Sequence, residues 1–467
     1  MNLKGKRRIY CLRADKSRTK TLRKATKMTD TVGRIIKISG SVALAEGMQT
    51  VKMHGIVLVG DKQVLAEAVE IDRNTVTLCF LESAQGISVG DRAVPCDTSF
   101  TAELGPGLLG HVFDAVQRPI FLENKKSTEA FHSAVSRYSL DQSRLRHFEA
   151  ALKFGDKVKS GDVYGTVREN GMIIHKITVP YGVSGSIVEL RSGDYNVTDR
   201  IGKIKRQDGT IEDITLASKQ NVSYRRYKAS RRPPDEKLIT NIDDIDRCFP
   251  IAKGGAACIA GQSGSGKTSL LHKIARNADA DIVVYVSASF RSKEVSELFA
   301  ELSDTADPTS GRPLIERTVM IASSADMSAA AREKAVYLGA TVAEYYRDMG
   351  YSVLLILDSI TDWASSVREK AFELDREFDL YPADIDFRIS ELFARCGSFA
   401  EIGSERRRAA LTVIVSAEDN CDTVLQAVKR NVGAFCLLDV PSSDRIGSAV
   451  IDESKSYSKY KEKLRRI

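Results

Sequence analysis

Apolar residues fall in different rhythms along the chain. From Val32 to about Pro95 they form short runs broken by Gly and Asp, such as Arg34-Ile-Ile-Lys-Ile-Ser39, Gly55-Ile-Val-Leu-Val59 and Thr75-Val-Thr-Leu-Cys-Phe80. Short strands at regular spacing predict a small barrel. After a glycine-rich turn at Gly105-Pro-Gly-Leu-Leu-Gly110, residues 120–150 read as a polar, helical stretch. Residues 155–189 return to Val/Ile/Thr runs between Gly and Asp turns, which predicts a compact hairpin sandwich. From about residue 250 to 440 the texture changes again. Ala256–Ala260, Ile282–Val286, Val319–Ala322, Val353–Leu357, Leu411–Val415 and Phe435–Leu438 are nearly pure apolar runs. Between two of them Ala335, Leu338, Val342, Tyr345 and Met349 recur at helical spacing. Fully apolar strands alternating with helices predict an α/β class, with a parallel sheet covered on both faces.

Composition narrows this picture. A chain of 467 residues with 43% hydrophobic content supports roughly two to four domains and excludes a mainly disordered state. No run of 18 apolar residues is present, so no direct membrane insertion is expected. The net charge of +7 is unevenly held: residues 1–30 have eleven Lys/Arg against two Asp/Glu and carry +9, leaving −2 for the rest. This tail, expected to be disordered, has several readings. It is a solvated terminus, an arm for phosphate backbones or anionic lipid, an organelle transit peptide, or untranslated sequence ahead of a true start at Met28. The basic connection Arg225–Pro234 reads as a solvated linker. Eight scattered cysteines without a Cys-x-x-Cys pair read as small buried hydrophobes in a reducing compartment. Six histidines without ligand spacing predict no transition-metal site.

The chemistry gathers at Gly261-Gln-Ser-Gly-Ser-Gly-Lys-Thr268, which fits the phosphate-binding loop G-x-x-x-x-G-K-[ST]. An apolar strand precedes it, and Ser269-Leu-Leu-His-Lys-Ile opens a helix. Gly261, Gly264 and Gly266 let backbone N–H groups, with those of Ser265 and Ser269, approach phosphate oxygens at a helix N-terminus. Lys267 would neutralise the β- and γ-phosphates of ATP or ADP, and the Thr268 hydroxyl would ligate Mg²⁺. Asp358 ends the apolar run Val353–Leu357, where a carboxylate completes the Mg²⁺ shell.

Several stretches resemble the catalytic A subunit of V/A-type rotary ATPases. They are Met327–Tyr351, Gly311-Arg-Pro-Leu-Ile-Glu-Arg-Thr318, Phe249-Pro-Ile-Ala-Lys-Gly-Gly255, Glu103–Gly110 and Val179-Pro-Tyr-Gly-Val-Ser-Gly185. The similarity runs from about Val32 to Ser458. It implies a RecA-like P-loop nucleotide-binding domain preceded by a small N-terminal β-barrel and interrupted by a β-rich bulge domain. The bounds follow as a basic tail at 1–30, a barrel at 31–98, an inserted bulge at 120–200, a nucleotide-binding domain at 99–119 and 201–440, and a basic stub at 441–467. The resemblance further implies alternation with B-type subunits in a hexameric head, on a central stalk and membrane sector. The chain would then be cytoplasmic and peripheral to a membrane, in a complex that moves H⁺ or Na⁺.

Three departures qualify this. Where the family has Gly-Glu-Arg, with the Glu polarising the attacking water, this chain has Ser289-Phe290-Arg291. Arg291 is kept and Glu294 matches a family acid, but a phenyl ring neither accepts a proton nor orients water. Such a loss costs about 10²–10⁴ in rate. Where the family has Asp-Ser-Thr-Ser-Arg-Trp, this chain has Asp358-Ser-Ile-Thr-Asp362-Trp363. An anion replaces a cation, set either against the γ-phosphate or out to solvent. The sequence also stops at Ile467, short of the family's helical domain, as an altered subunit or a split or truncated gene would. The expectation is an ATP-binding A-type subunit with impaired hydrolysis. The alternative is a working subunit using another carboxylate, with Glu294 as candidate beside Lys267 and Arg291. A RecA-type nucleic-acid motor is disfavoured, because no aromatic-interleaved basic groove is visible.

Overall fold

The computed structural model describes residues 32–122, 131–133, 139–223, 231–290, 292–307, 310–324, 326–375, 381–405, 407–439 and 450–464. The basic segment 1–30 and Arg291 lie outside the described residues. Six antiparallel strands between Gly33 and Ser99 close into a barrel. Ile35, Val57, Leu78 and Phe80 are among the buried side chains that fill its interior. Closure leaves no unpaired edge.

Two four-stranded sheets between Arg146 and Thr215 pack face to face over Phe148, Val167, Ile177, Ile187 and Ile204. The expectation of a helical stretch at 120–150 is corrected: it carries no helix among its described residues. Pro119–Leu122 pairs with Phe131–Ser133, and Arg146–Ala150 joins the sandwich. Burial alternates along Arg146–Ala150 with the period of a strand, and outward His147 and Glu149 disguise that period in the sequence. Arg231 and Arg232, from the basic connection, pair with Phe399 and Ser398 at the rim of the core sheet.

The core sheet is built on six parallel strands: β1 (Ala256–Gly261), β2 (Ile282–Phe290), β3 (Thr318–Ser324), β4 (Ser352–Asp358), β5 (Ala409–Glu418) and β6 (Ala434–Asp439). Their order is β3-β2-β4-β5-β1-β6. Successive residues face opposite sides, and each side is covered. Val284, Leu355 and Val413 meet α3 (Ala329–Asp348), α4 (Ile360–Glu373) and α5 (Ile385–Phe393). Val283, Tyr285 and Ile356 meet α1 (Lys267–Asn277) and α2 (Ser292–Asp304). Two buried faces explain why these strands read as unbroken apolar runs.

Helix α3 is capped by the Ser328 hydroxyl, which accepts from Ala331 N, and it is buried along nearly its whole length. It lies between the sheet and the barrel, and its charges meet a buried partner set. Lys334 donates to barrel residue Glu67 at 2.8 Å, Lys370 to Glu333 at 2.8 Å, and Arg388 to Glu333 at 2.6 Å. On the sandwich side, buried His175 bridges Glu169 (2.6 Å) and Tyr345 of α3 (2.7 Å). Beyond β6 the chain returns to the sheet: Val450–Ile451 and Tyr457–Ser458 both pair antiparallel with β6.

Candidate functional site

The carboxyl ends of β1, β5 and β4 lie side by side and bring together residues far apart in sequence. Gly261 at the end of β1 pairs with Glu418 at the end of β5. Leu357 of β4 pairs with Val415 of β5, which sets Asp358 beside Ser416. The loop after β1 turns through Gly264 (φ +82°) and Gly266 (φ +89°), conformations that favour glycine, and α1 begins at Lys267. A Cβ on Gly264 would meet no atom within 4 Å. The N-terminus of α1 has no side-chain cap, so its first N–H groups are open to an external acceptor. Ser265 is fully buried, and its hydroxyl has no partner among the described residues. An uncapped helix start, an orphaned hydroxyl and an open glycine turn fit an anionic phosphate chain.

Lys267 is largely buried, and its ammonium donates to Gly261 O at 2.8 Å and Gln262 O at 2.8 Å. Its third contact is Glu418 Oε1 at 2.9 Å. Thr268, half-buried, and exposed Ser269 follow it into α1. Asp358 accepts from Ser416 Oγ at 2.6 Å and from the Tyr285 hydroxyl at 3.0 Å, which fixes its carboxylate at the strand end. Burial, reinforced by Asp358, pushes the Tyr285 phenol well above its ordinary range. His272 of α1 stands edge-on to Tyr285 at 5.6 Å, and burial pulls its imidazole down, so it adds no cation at neutral pH. Thr268 and Asp358 together offer one hydroxyl and one carboxylate, hard oxygen donors of the kind Mg²⁺ takes.

Asp362 lies in the first turn of α4, where its backbone N–H donates to the capping Ser359 hydroxyl at 3.1 Å. It is half-buried rather than turned out to solvent. Burial raises its carboxyl, and the charges of Asp358 and Glu418 push the same way against Ser359 and Arg332. Glu418 is held at its backbone by an N–H bond to the Thr361 hydroxyl at 2.9 Å. It is the site residue that sequence reading passed over. The signal was present: Leu411–Val415 continues through Ser416 and Ala417 to an acid, the pattern that singled out Asp358.

The other end of the row differs. β2 runs three residues past Ser287, the partner of Asp358, and ends at Phe290 opposite Ser324 of β3. Strands β4 and β5 separate it from the loop strand. Glu294 is exposed in the first turn of α2, and its charge bears on Tyr285 and His272.

Comparison with known proteins covers the whole arrangement. The model of the ATP synthase alpha/beta family nucleotide-binding domain matches residues 241–458, that of its beta-barrel domain residues 35–97, and that of its barrel-sandwich domain residues 137–222. The V-type ATP synthase alpha chain of Clostridium botulinum is 38% identical over 438 residues, covering 92% of this chain and 74% of the relative. That of Acetivibrio thermocellus is 36% identical over 434 residues, again across 92% of this chain and 74% of the relative. Among solved structures, the assembled ATPase EscN of the enteropathogenic E. coli type III secretion system matches with a TM-score of 0.63 at 20% identity. That match spans 92% of this chain and 81% of EscN, and it supports the fold alone.

Proposed function

Because the chain belongs to the ATP synthase alpha/beta family, as a V-type alpha chain and an ATP-binding A subunit of a rotary ATPase, we propose that it holds Mg-ATP and hydrolyses it slowly or not at all. The observation that carries this is Phe290. It ends β2 at the position where the sequence resemblance places the family's water-orienting Glu. The binding corner keeps its parts. Gly261, Gly264, Ser265, Gly266 and Ser269 line the loop and helix start for the phosphates, and Lys267 supplies the cation. Thr268 and Asp358 would hold Mg²⁺, which when bound offsets phosphate charge. Ion translocation, of H⁺ or Na⁺, would belong to the complex rather than to this chain. No helix among the described residues is long and apolar enough to cross a membrane. Its neighbours would be B-type subunits alternating with it in a hexameric head above a central stalk and membrane sector. A second reading, a working subunit in which Glu294 positions the water, with Arg291 retained in the sequence, is supported by the reach of the Glu294 charge to Tyr285 and His272.

Recovery of the tagged chain with its natural partners, after hours with Mg-ATP, separates the two readings. Chromatography of the bound nucleotide should find ATP, and nothing in Lys267→Ala. Bound ADP with released phosphate would overturn the impaired reading.

A further inference from the structure

We propose that Glu418 is an internal counter-anion that occupies Lys267 until nucleotide phosphates displace it, and so sets both the affinity of the site and its dependence on a divalent cation. The inference rests on the reading of this corner as an ATP site. A lysine ammonium has three N–H donors. In the structure all three have acceptors: Gly261 O, Gln262 O and Glu418 Oε1 at 2.8, 2.8 and 2.9 Å. None remains for a phosphate oxygen. Two acceptors are carbonyls of the loop's own backbone, fixed by the turn that makes the cradle. The third sits on a flexible side chain that is 29% exposed. Exchange is therefore easiest at Glu418, whose carboxylate can turn to water while its backbone stays bonded to Thr361.

The released carboxylate does not travel far. Its strand position keeps it beside Gly261, and it already shares its field with Asp362, as does Asp358. Three carboxylates then stand around one polyphosphate. Without a divalent cation the repulsion is uncompensated, whereas a bound cation offsets it. Glu418 is thus an affinity-setting residue that disfavours metal-free nucleotide.

The test is equilibrium titration of the 467-residue chain and its Glu418→Gln variant with ATP, once in Mg²⁺ and once in EDTA. Glutamine keeps the size and removes the charge at a half-exposed position, and a thermal melt of each protein verifies its fold. The variant should bind metal-free ATP about tenfold tighter, the lower end for a charge-assisted bond partly open to solvent. Mg-ATP should gain only about two- to threefold on the same scale, so the Mg²⁺ preference narrows. Equal affinities in both conditions would overturn the counter-anion role and leave the ATP site standing. Weaker Mg-ATP binding by the variant would also overturn it and make Glu418 a metal ligand. If neither protein binds ATP, this inference and the reading beneath it fall together.

Discussion

The two halves of the sheet's carboxyl edge are built differently. At the ends of β1, β5 and β4, Lys267 meets Glu418, and Asp358 accepts from Ser416 of β5 and from Tyr285 within β2. Next to β4, with β4 and β5 between it and the loop strand, β2 ends in Phe290. On the proposed reading, the groups that hold the nucleotide sit at the ends of β1, β5 and β4 and the lost water-orienting position sits at the end of β2, so a change at Phe290 leaves the phosphate-facing set in place.

The largest expected effect comes from putting chemistry back. In the assembled complex, Phe290→Glu should raise phosphate release by about 10²-fold or more, the range a general base supplies, with ATP affinity little changed. No gain in a steady-state assay would mean that the two halves are not separable in this way. Next is a disturbance beneath the β2 and β4 side, at the buried ion set of α3. Burial acts to raise the Glu67 carboxyl, but Lys334, His54 and Lys370 outweigh it and bring it down to about 2. Its folded value lies below the unfolded one, so its stabilisation is complete above about pH 5 and is lost as pH falls towards 2. It amounts to about 3 kcal/mol. Denaturant melts across that window should show the loss, and Glu67→Gln should flatten it.

Smaller effects sharpen the binding side. Thr268→Ala should weaken Mg-ATP about tenfold and metal-free ATP much less, read by the same titrations, as removal of one metal-facing hydroxyl requires. Ser265→Ala is the finest probe. Its orphaned hydroxyl costs about 1 kcal/mol in the empty protein. The variant should therefore melt slightly higher without ligand and bind ATP a few-fold more weakly.

Much of this was legible because burial on two faces writes itself into sequence. The six core strands stand out as apolar runs, and a glycine loop followed by Lys267-Thr268 has few structural meanings at a strand-to-helix junction. Asp358 could be read from its place after Leu357. Glu418 escaped because the run Leu411–Val415 seemed to end before two small residues, which in fact continue the strand. The stretch at 120–150 misled because a half-exposed strand with charged outward positions mimics a polar helix. The Lys334–Glu67 contact spans 267 residues, and neither residue type announces burial, since each is ordinarily solvated. Such pairs become visible only when the barrel and α3 are packed together.

The return of the chain to β6 has a consequence for self-association. A parallel sheet that stopped at β6 would present a row of unpaired N–H and C=O groups, the template on which strands from separate molecules stack. Val450–Ile451 and Tyr457–Ser458 occupy that row, and Tyr457 lies stacked on Phe435 at 5.7 Å. These few residues cover the edge against strand-to-strand aggregation, and a version ending before Val450 would expose it.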